Sequence, residues 1–357
     1  MSTWPLMESI LEQAKWAPSG DNTQPWRFEI IDAQHVNVHG FDTRKECVYD
    51  FRGHASHIAL GALLENIALA ASGLGLRADM LERPGCPDDH PVYEVRFNAA
   101  PGIQPDPLRE QIQLRSVQRR PYSTTPLTLA QKAALTQAPG PAFEVRWLES
   151  LSERLAMARL VSAAGKLRLT IPEAYAVHSR VIAWNARFSE DRVPDQAIGL
   201  DALSLRLMRW VLASWARVDF FNTFLAGTVS PRIQLDIAPS LGCAAHFFLL
   251  SRTVPSTVAD YVASGRAMQR FWLTATQLGL QLQPEMSPLI FRNYATRGEP
   301  VSIKPGAQQE AGAISNKFNK LVGGELDGDR VVFMGRVGNA PAARARSLRL
   351  ALDRLMQ

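Results

Sequence analysis

Cysteine is scarce in this chain, with 3 in 357 residues, at positions Cys47, Cys86 and Cys243. Their odd number and wide spacing, without a CxxC or a Cys/His pair at ligand spacing, exclude a disulfide framework and a thiolate metal centre. They predict a reducing compartment. Runs of five or more like charges are also absent, so the formal net charge of +5 comes from arginines scattered along the sequence. Scattered positive charge suits an anionic small molecule and argues against a nucleic-acid surface. Long apolar runs are missing too: the longest, around residues 242–250, is too short to span a bilayer and is interrupted by His246. The opening stretch MSTWPLMESILEQAKW has no basic segment followed by an apolar core. No signal peptide is expected, and a cytoplasmic protein without a membrane span is the default.

Apolar material is plentiful, at 46% of residues against 20% charged, enough for two domain-sized cores. An internal repeat divides it. Residues 60–76 read LGALLENIALAASGLGL and residues 264–280 read SGRAMQRFWLTATQLGL. At this offset of 204 residues Gly61 meets Gly265, Leu69 meets Leu273, Ala71 meets Ala275 and the two LGL endings coincide. The first copy is apolar on nearly every face and predicts a buried helix with Gly75 as a left-handed cap. Around it we expect a helix over 5–17 and strands over 27–31 and 92–97. The Pro- and Gly-rich stretch 98–107 marks the boundary, giving a first half over 1–105 and a second over 106–357. In the second half Thr128 is placed to cap a helix, strands are expected over 143–148 and 244–251, and a final strand precedes a basic tail. An aromatic insertion, residues 203–235, reads as a lid or as core packing rather than a membrane-surface helix.

Two segments carry chemistry. APSGDNTQPWRF, residues 17–28, crowds backbone-directing residues into one turn and ends on Trp26. Pro18 and Pro25 stiffen it, while Ser19, Gly20 and Asn22 offer hydroxyl, backbone and amide groups to a planar polar ligand. RSVQRRPYS places Arg115, Ser116, Arg119 and Arg120 together, the donors that a phosphate monoester requires. Arg344, Arg346 and Arg349 form a second basic group near the end of the chain. If the two groups converge they make a phosphate clamp. His57, His178 and His246 are candidate proton donors, although a lone histidine near an apolar helix is more often a satisfied core residue. Glu65 and Asn66 read as paired polar groups on the buried helix.

The pattern APS-x-x-N-x-QPW before a strand, the helix ending in LGL, and the segment RSVQRRPYSTTPLT resemble the FMN-dependent nitroreductase superfamily. The likeness touches most of the chain outside residues 203–235, and its double length resembles fused, pseudo-dimeric members, some of which sequester flavin. It implies an α+β protein in which a nitroreductase-like fold is duplicated, with mixed or antiparallel sheets flanked by helices. By resemblance, Arg115, Ser116, Arg119, Arg346 and Arg349 would hold the FMN phosphate. Pro18, Ser19, Gly20 and Asn22 would meet the flavin from the other half, and backbone N–H groups of the QPEMSP segment, Gln283 to Pro288, would face its reactive edge. Arg119 and Arg120 are not distinguished. Since the first half lacks the Arg-Ser motif and the second reads QAPGPAFEVRW in place of the turn, one complete site per chain is expected. The resemblance implies hydride transfer from NADH, NADPH or an organic donor to a small electron-poor substrate, with no catalytic side chain and no metal. Flavin storage under a lid and a biosynthetic flavin dehydrogenase or oxidase are the alternatives. Fusion makes a monomer competent, with a homodimer as the other state.

Overall fold

The structure is a computed structural model and describes residues 4–357. Two four-stranded antiparallel sheets organise the chain. The first has the order Trp26–Asp32, His35–Gly40, Val92–Ala99, Leu76–Glu82. The second has the order Phe143–Leu148, Ala245–Ser251, Val331–Gly338, Gln281–Pro284. With strands numbered in chain order within each sheet, both sheets run 1-2-4-3. Each also inserts a long helix between its second and third strands, His54–Ser72 in the first half and Val258–Gln277 in the second. A shorter helix precedes each first strand, Pro5–Ala14 and Leu129–Gln137, the latter closed by a capping box between Thr128 and Gln131. The first of these stops at Ala14, three residues short of the expected end. The protein is α+β, with antiparallel sheets flanked by helices, as expected.

The two long helices pack on each other reciprocally. A Cβ on Gly61 would overlap the Val262 carbonyl, and one on Gly265 would overlap the Ile58 carbonyl. Val262 is the 204-residue counterpart of Ile58, so each contact is the other with the halves exchanged. Their polar groups follow the same rule: Glu65 accepts from Arg270 Nη1 at 2.9 Å, while Asn66, the counterpart of Arg270, accepts from Gln269, the counterpart of Glu65, at 2.7 Å. Arg266 adds a second bond to Glu65, also at 2.9 Å. Glu65 and Asn66 are thus paired polar groups, as expected. Both helices end on a left-handed glycine, Gly75 and Gly279, each at φ +72°. The stretch Phe51–Ser72 is long and apolar enough to cross a membrane, yet 89% of its most apolar window is buried inside the protein. Its continuous apolar surface is explained by core contacts on all sides.

The halves differ in what they add to this plan. A second apolar core lies under the helices Leu151–Thr170, Ser287–Arg297 and Ala307–Val322, around Met157, Leu160, Phe291 and Phe318. These helices belong to two long excursions, one between the first and second strands of the second sheet and one between its third and fourth. Beyond the boundary stretch, Leu108 and Ile112 pack between Leu69 and Leu273, so the chain crosses both long helices as it changes halves. It then runs beside Gln281–Pro284, with Val117 bridged to Leu282. The C-terminal residues return to the first sheet, where Met356 bridges to Phe28 and Gln357 N–H donates to the Phe28 carbonyl at 2.8 Å.

Candidate functional site

The turn between the first helix and first strand is strained and heavily tied. Asp21, Asn22 and Gln24 sit at φ +49°, +63° and +49°, left-handed values that cost a non-glycine residue roughly 1–2 kcal/mol each. Ser19 Oγ accepts from Gln24 N–H at 3.0 Å. The buried Gln24 amide donates to the Glu190 carbonyl at 2.8 Å and accepts from Leu350 N–H at 2.9 Å. Asn22 donates to the same Glu190 carbonyl at 2.9 Å and accepts from Arg349 Nη1 at 2.9 Å. Arg349 also donates to the Ala17 carbonyl, at 3.0 and 2.8 Å. Trp26, fully buried, anchors the strand that follows. The strain is therefore held by groups far away in sequence, the condition under which such backbone persists. Gly20 faces open space, where a Cβ would meet nothing within 4 Å.

This turn forms one wall of a cavity of about 380 Å³, a size that suits a small-molecule site. All nine residues nominated from the sequence line it. Pro18, Ser19, Gly20 and Asn22 come from the first half, and Arg115, Ser116, Arg119, Arg346 and Arg349 from the second. Arg115 is buried, lies over the Trp272 ring at 4.5 Å and donates to the Trp16 carbonyl at 3.2 Å. Arg346 lies over the Trp16 ring at 5.1 Å and donates to the Gln113 carbonyl at 2.9 Å. The Nε atoms of Arg115 and Arg346 are both buried without a hydrogen-bond partner. Arg119 donates to the Ala197 carbonyl at 3.0 Å. Arg120 is exposed and, with Arg344, lines a separate open groove instead, so the structure distinguishes it from Arg119.

The electrostatics of this wall are unbalanced. The hydrogen bonds of Arg115, Arg119, Arg346 and Arg349 described above all go to neutral acceptors. Burial, followed by the fields of Arg349 and Arg346, pushes the Arg115 guanidinium well below its ordinary range. Burial and then Arg346 push Arg349 down to about 9. The acid beside them, Asp21, is itself raised by burial, with Arg119 and Arg168 opposing. Clustered cations with orphaned buried donors are unfavourable alone and become favourable when a dianion fills the space between them. Arg349, whose donors are taken by the turn, is a strut, whereas Arg115 and Arg346 keep donors free.

The remaining wall is aromatic. Tyr49 Oη lies 3.0 Å from His178 Nε2 with the rings stacked, and His54 stacks on Tyr261 at 3.8 Å between centroids. Burial, with Arg168 adding, pulls His178 down to about 3, and burial, with His57 adding, does the same for His54. Both rings are neutral at physiological pH, so the Tyr49 and His178 contact is a bond between uncharged groups. Gln283, Pro284, Met286 and Ser287 also line the cavity, and the Gln283 amide oxygen is fixed by Arg336 at 2.9 and 2.7 Å. Among the described residues, no group of His, Cys, Asp and Glu converges to hold a metal ion.

No family model matches the chain. It is 25% identical over 346 residues to a Mycobacterium tuberculosis protein described as uncharacterized, a match covering 94% of this chain and 46% of the relative. The chain thus spans less than half the length of that relative. Among solved structures it is similar to a nitroreductase-like family protein from Bacillus cereus, at 13% identity and TM-score 0.36 over 71% of this chain and 95% of the other. It is also similar to the FMN-dependent nitroreductase NfnB from Mycobacterium smegmatis in complex with NADPH, at 15% identity and TM-score 0.34 over 70% and 96%. A protein of Anabaena variabilis aligns over 94% of this chain and 73% of its own, at 12% identity and TM-score 0.40.

Two of the three candidate histidines are buried outside the cavity lining, and the reading of residues 203–235 as a lid needs correction. His57 bonds the Asp88 carbonyl at 2.8 Å, outside the cavity lining. His246 is buried behind the wall, 2.7 Å from Glu285 and 2.9 Å from the Ser240 carbonyl. His178 does face the cavity, as a neutral ring, which does not favour it as a proton donor. Residues 203–235 supply none of the cavity lining, because they rest on the outer face of the helix Leu151–Thr170, with Asn222 donating to the Leu169 carbonyl at 2.8 Å. The cover comes from just upstream, where Val193 and Ala197 meet the cavity beside the short parallel pairing of Phe188–Ser189 with Arg346–Ser347. Sequence reasoning missed Tyr49, Phe51, His54, Arg168 and Tyr261. The one available signal was YDFRGH, whose Arg52 and Gly53 are left-handed at φ +52° and +80°.

Proposed function

We propose that the cavity binds FMN and that the chain is a nitroreductase-like flavin oxidoreductase, using NADH, NADPH or an organic donor to reduce a small electron-poor acceptor such as a nitroaromatic or quinone. The observation that carries this reading is the convergence of Arg115, Arg119, Arg346 and Arg349, with no ion pair to any of them among the described residues and with two orphaned Nε atoms, opposite a strained turn from the other half. In this reading Arg115, Arg346, Arg119 and Ser116 hold the phosphate, and Arg349 fixes the turn. Pro18, Ser19, Gly20 and Asn22 present the backbone edge of that turn to the ring system. FMN, when bound, supplies the hydride chemistry. The chain orients the ring, shields it with Tyr49, Phe51, His54 and Tyr261, and provides no ionised histidine at the cavity.

We further infer an internal pseudo-dimer of two units, 1–105 and 106–357, that retains one site. Identical strand order and the reciprocal Gly61 and Gly265 contacts support it. The missing Arg-Ser motif of the first half falls partly on residues 1–3, which lie outside the described residues. Turnover is favoured over storage because residues 203–235 contribute no wall to the cavity. Anaerobic mixing of the FMN-loaded protein with NADH and with NADPH tests this. Bleaching of the visible flavin band by either nucleotide is expected. A band that survives both nucleotides and yields only to dithionite contradicts a nicotinamide-dependent reductase.

A further inference from the structure

The segment 202–233 turns its apolar side chains outward. Its first helix, Ala202–Val211, buries none of its residues, and Leu203, Leu207 and Trp210, spaced to share one face, are 76%, 49% and 51% exposed. The next helix, Trp215–Phe224, is held by one buried side chain, Val218, while Phe220 and Phe224 are 52% and 71% exposed. The rings touch in a chain: Trp210 to Phe221 at 5.7 Å, Phe221 to Phe220 at 6.3 Å and Phe220 to Phe224 at 5.2 Å. The two helices therefore present one continuous surface, an unusual feature for a protein whose other aromatic rings are mostly buried. The segment is held in place: Arg232 bonds the Ser162 carbonyl and hydroxyl, and Asn222 bonds the Leu169 carbonyl.

Charge says what covers this surface. Arg206 and Arg209 lie on one flank of the Leu203, Leu207 and Trp210 stripe, both exposed and without an ion pair among the described residues. Arg217 lies over the Trp210 ring at 4.5 Å. Against them stands a single exposed acid, Asp219, since Asp201 is occupied in capping its helix through Leu203 and Ser204 N–H groups. An apolar face of Trp, Phe and Leu with an arginine flank is the composition of a helix that lies in the headgroup layer of a bilayer. A two-fold contact with a second copy would bring two such flanks together with one acid from each side to offset them. A negatively charged lipid surface complements both the apolar face and the arginines.

We propose that residues 202–233 dock the protein onto an anionic lipid bilayer. Leu203, Trp210, Phe220 and Phe224 enter the headgroup and acyl boundary, Arg206 and Arg209 meet lipid phosphates, and the cavity, which this segment does not line, stays clear of the membrane. The test is co-sedimentation of the full chain with phosphatidylglycerol/phosphatidylcholine vesicles and with phosphatidylcholine alone. Partition should be much stronger on the anionic vesicles and weaken with salt. The pair Arg206→Gln and Arg209→Gln should lower it by about 25-fold, at about fivefold per arginine near an anionic surface. Trp210→Ser with Phe224→Ser should abolish it, without changing FMN affinity. Absence of partition, equal partition on both vesicle types, or a Trp210→Ser/Phe224→Ser variant that loses only a dimer in sedimentation would each overturn the proposal.

Discussion

The turn at residues 17–25 and the one at residues 137–142 occupy matching places, each leaving a short helix and entering the first strand of a 1-2-4-3 sheet. They are built differently. The first contains three left-handed non-glycine residues and is held by Glu190, Arg349 and Leu350 from the other half. The second is an ordinary helix stop, where Gly140 at φ +85° donates to the Gln137 carbonyl at 3.0 Å and the strand begins at Phe143. The shared scaffold explains the packing of the halves. The proposed site lies where the halves depart from one another.

The sharpest way to test the shared part is at its closest approach. Gly61→Ala and Gly265→Ala should each cost about 3 kcal/mol, since backbone on both sides must move, as read from urea midpoints. Gly75→Ala and Gly279→Ala, equally left-handed but facing open space, should each cost about 1 kcal/mol. Unequal losses within either pair would break the symmetry. At the departure, Gln24→Ala leaves the Leu350 N–H and Glu190 carbonyl without this partner and should cost about 2–3 kcal/mol. Gln137→Ala, at an exposed position, should stay within about 0.5 kcal/mol.

Within the second half, Arg115→Ala should weaken FMN binding by about 1.5–3 kcal/mol in a fluorescence titration, the range for a charge-assisted bond. Arg120→Ala, five residues on but outside the cavity, should leave it unchanged. The gentlest contrast concerns pH. The second strand of each sheet carries a histidine paired with a glutamate: His39 with Glu29 at 3.0 Å near the surface, and His246 with Glu285 at 2.7 Å in the interior. Burial opposes the His246 imidazolium, but Glu285, with help from Cys243, overrides it and holds the ring at about 10. A folded value above the unfolded one, about 6.5, gives stabilisation that is complete below about pH 6.5 and lost as pH rises towards 10. Urea midpoints should therefore decline by at most about 1.4 kcal/mol per pH unit across that interval. Glu285→Gln should flatten the slope, whereas Glu29→Gln should leave it intact, as expected for an exposed pair.

Much of the scaffold is legible locally. The 143–148 strand, the 92–99 strand, the Thr128 cap and the buried helix ending on Gly75 follow from alternation, capping chemistry and apolar periodicity. Strands His35–Gly40, Leu76–Glu82 and Gln281–Pro284 went unmarked. Leu76–Glu82 alternates half-buried with exposed residues such as Arg77 and Asp79, and Gln281–Pro284 is too short to show a period. The cationic side of the cavity was visible because its residues cluster in two short segments. The aromatic side was not, since Tyr49, His178 and Tyr261 meet through tertiary packing across more than two hundred residues. The insertion 203–235 showed its aromatic content in sequence, but only the structure shows that those rings face outward.

Two similar halves are proposed to share a single FMN site made from unlike parts of each. Titration of FMN against the purified chain, with free and bound flavin separated by fluorescence, tests it directly. One FMN per chain is the result this account requires, lost or sharply weakened in Arg115→Ala. Two per chain would show that the second turn also builds a site, and none would remove the cavity from flavin chemistry altogether.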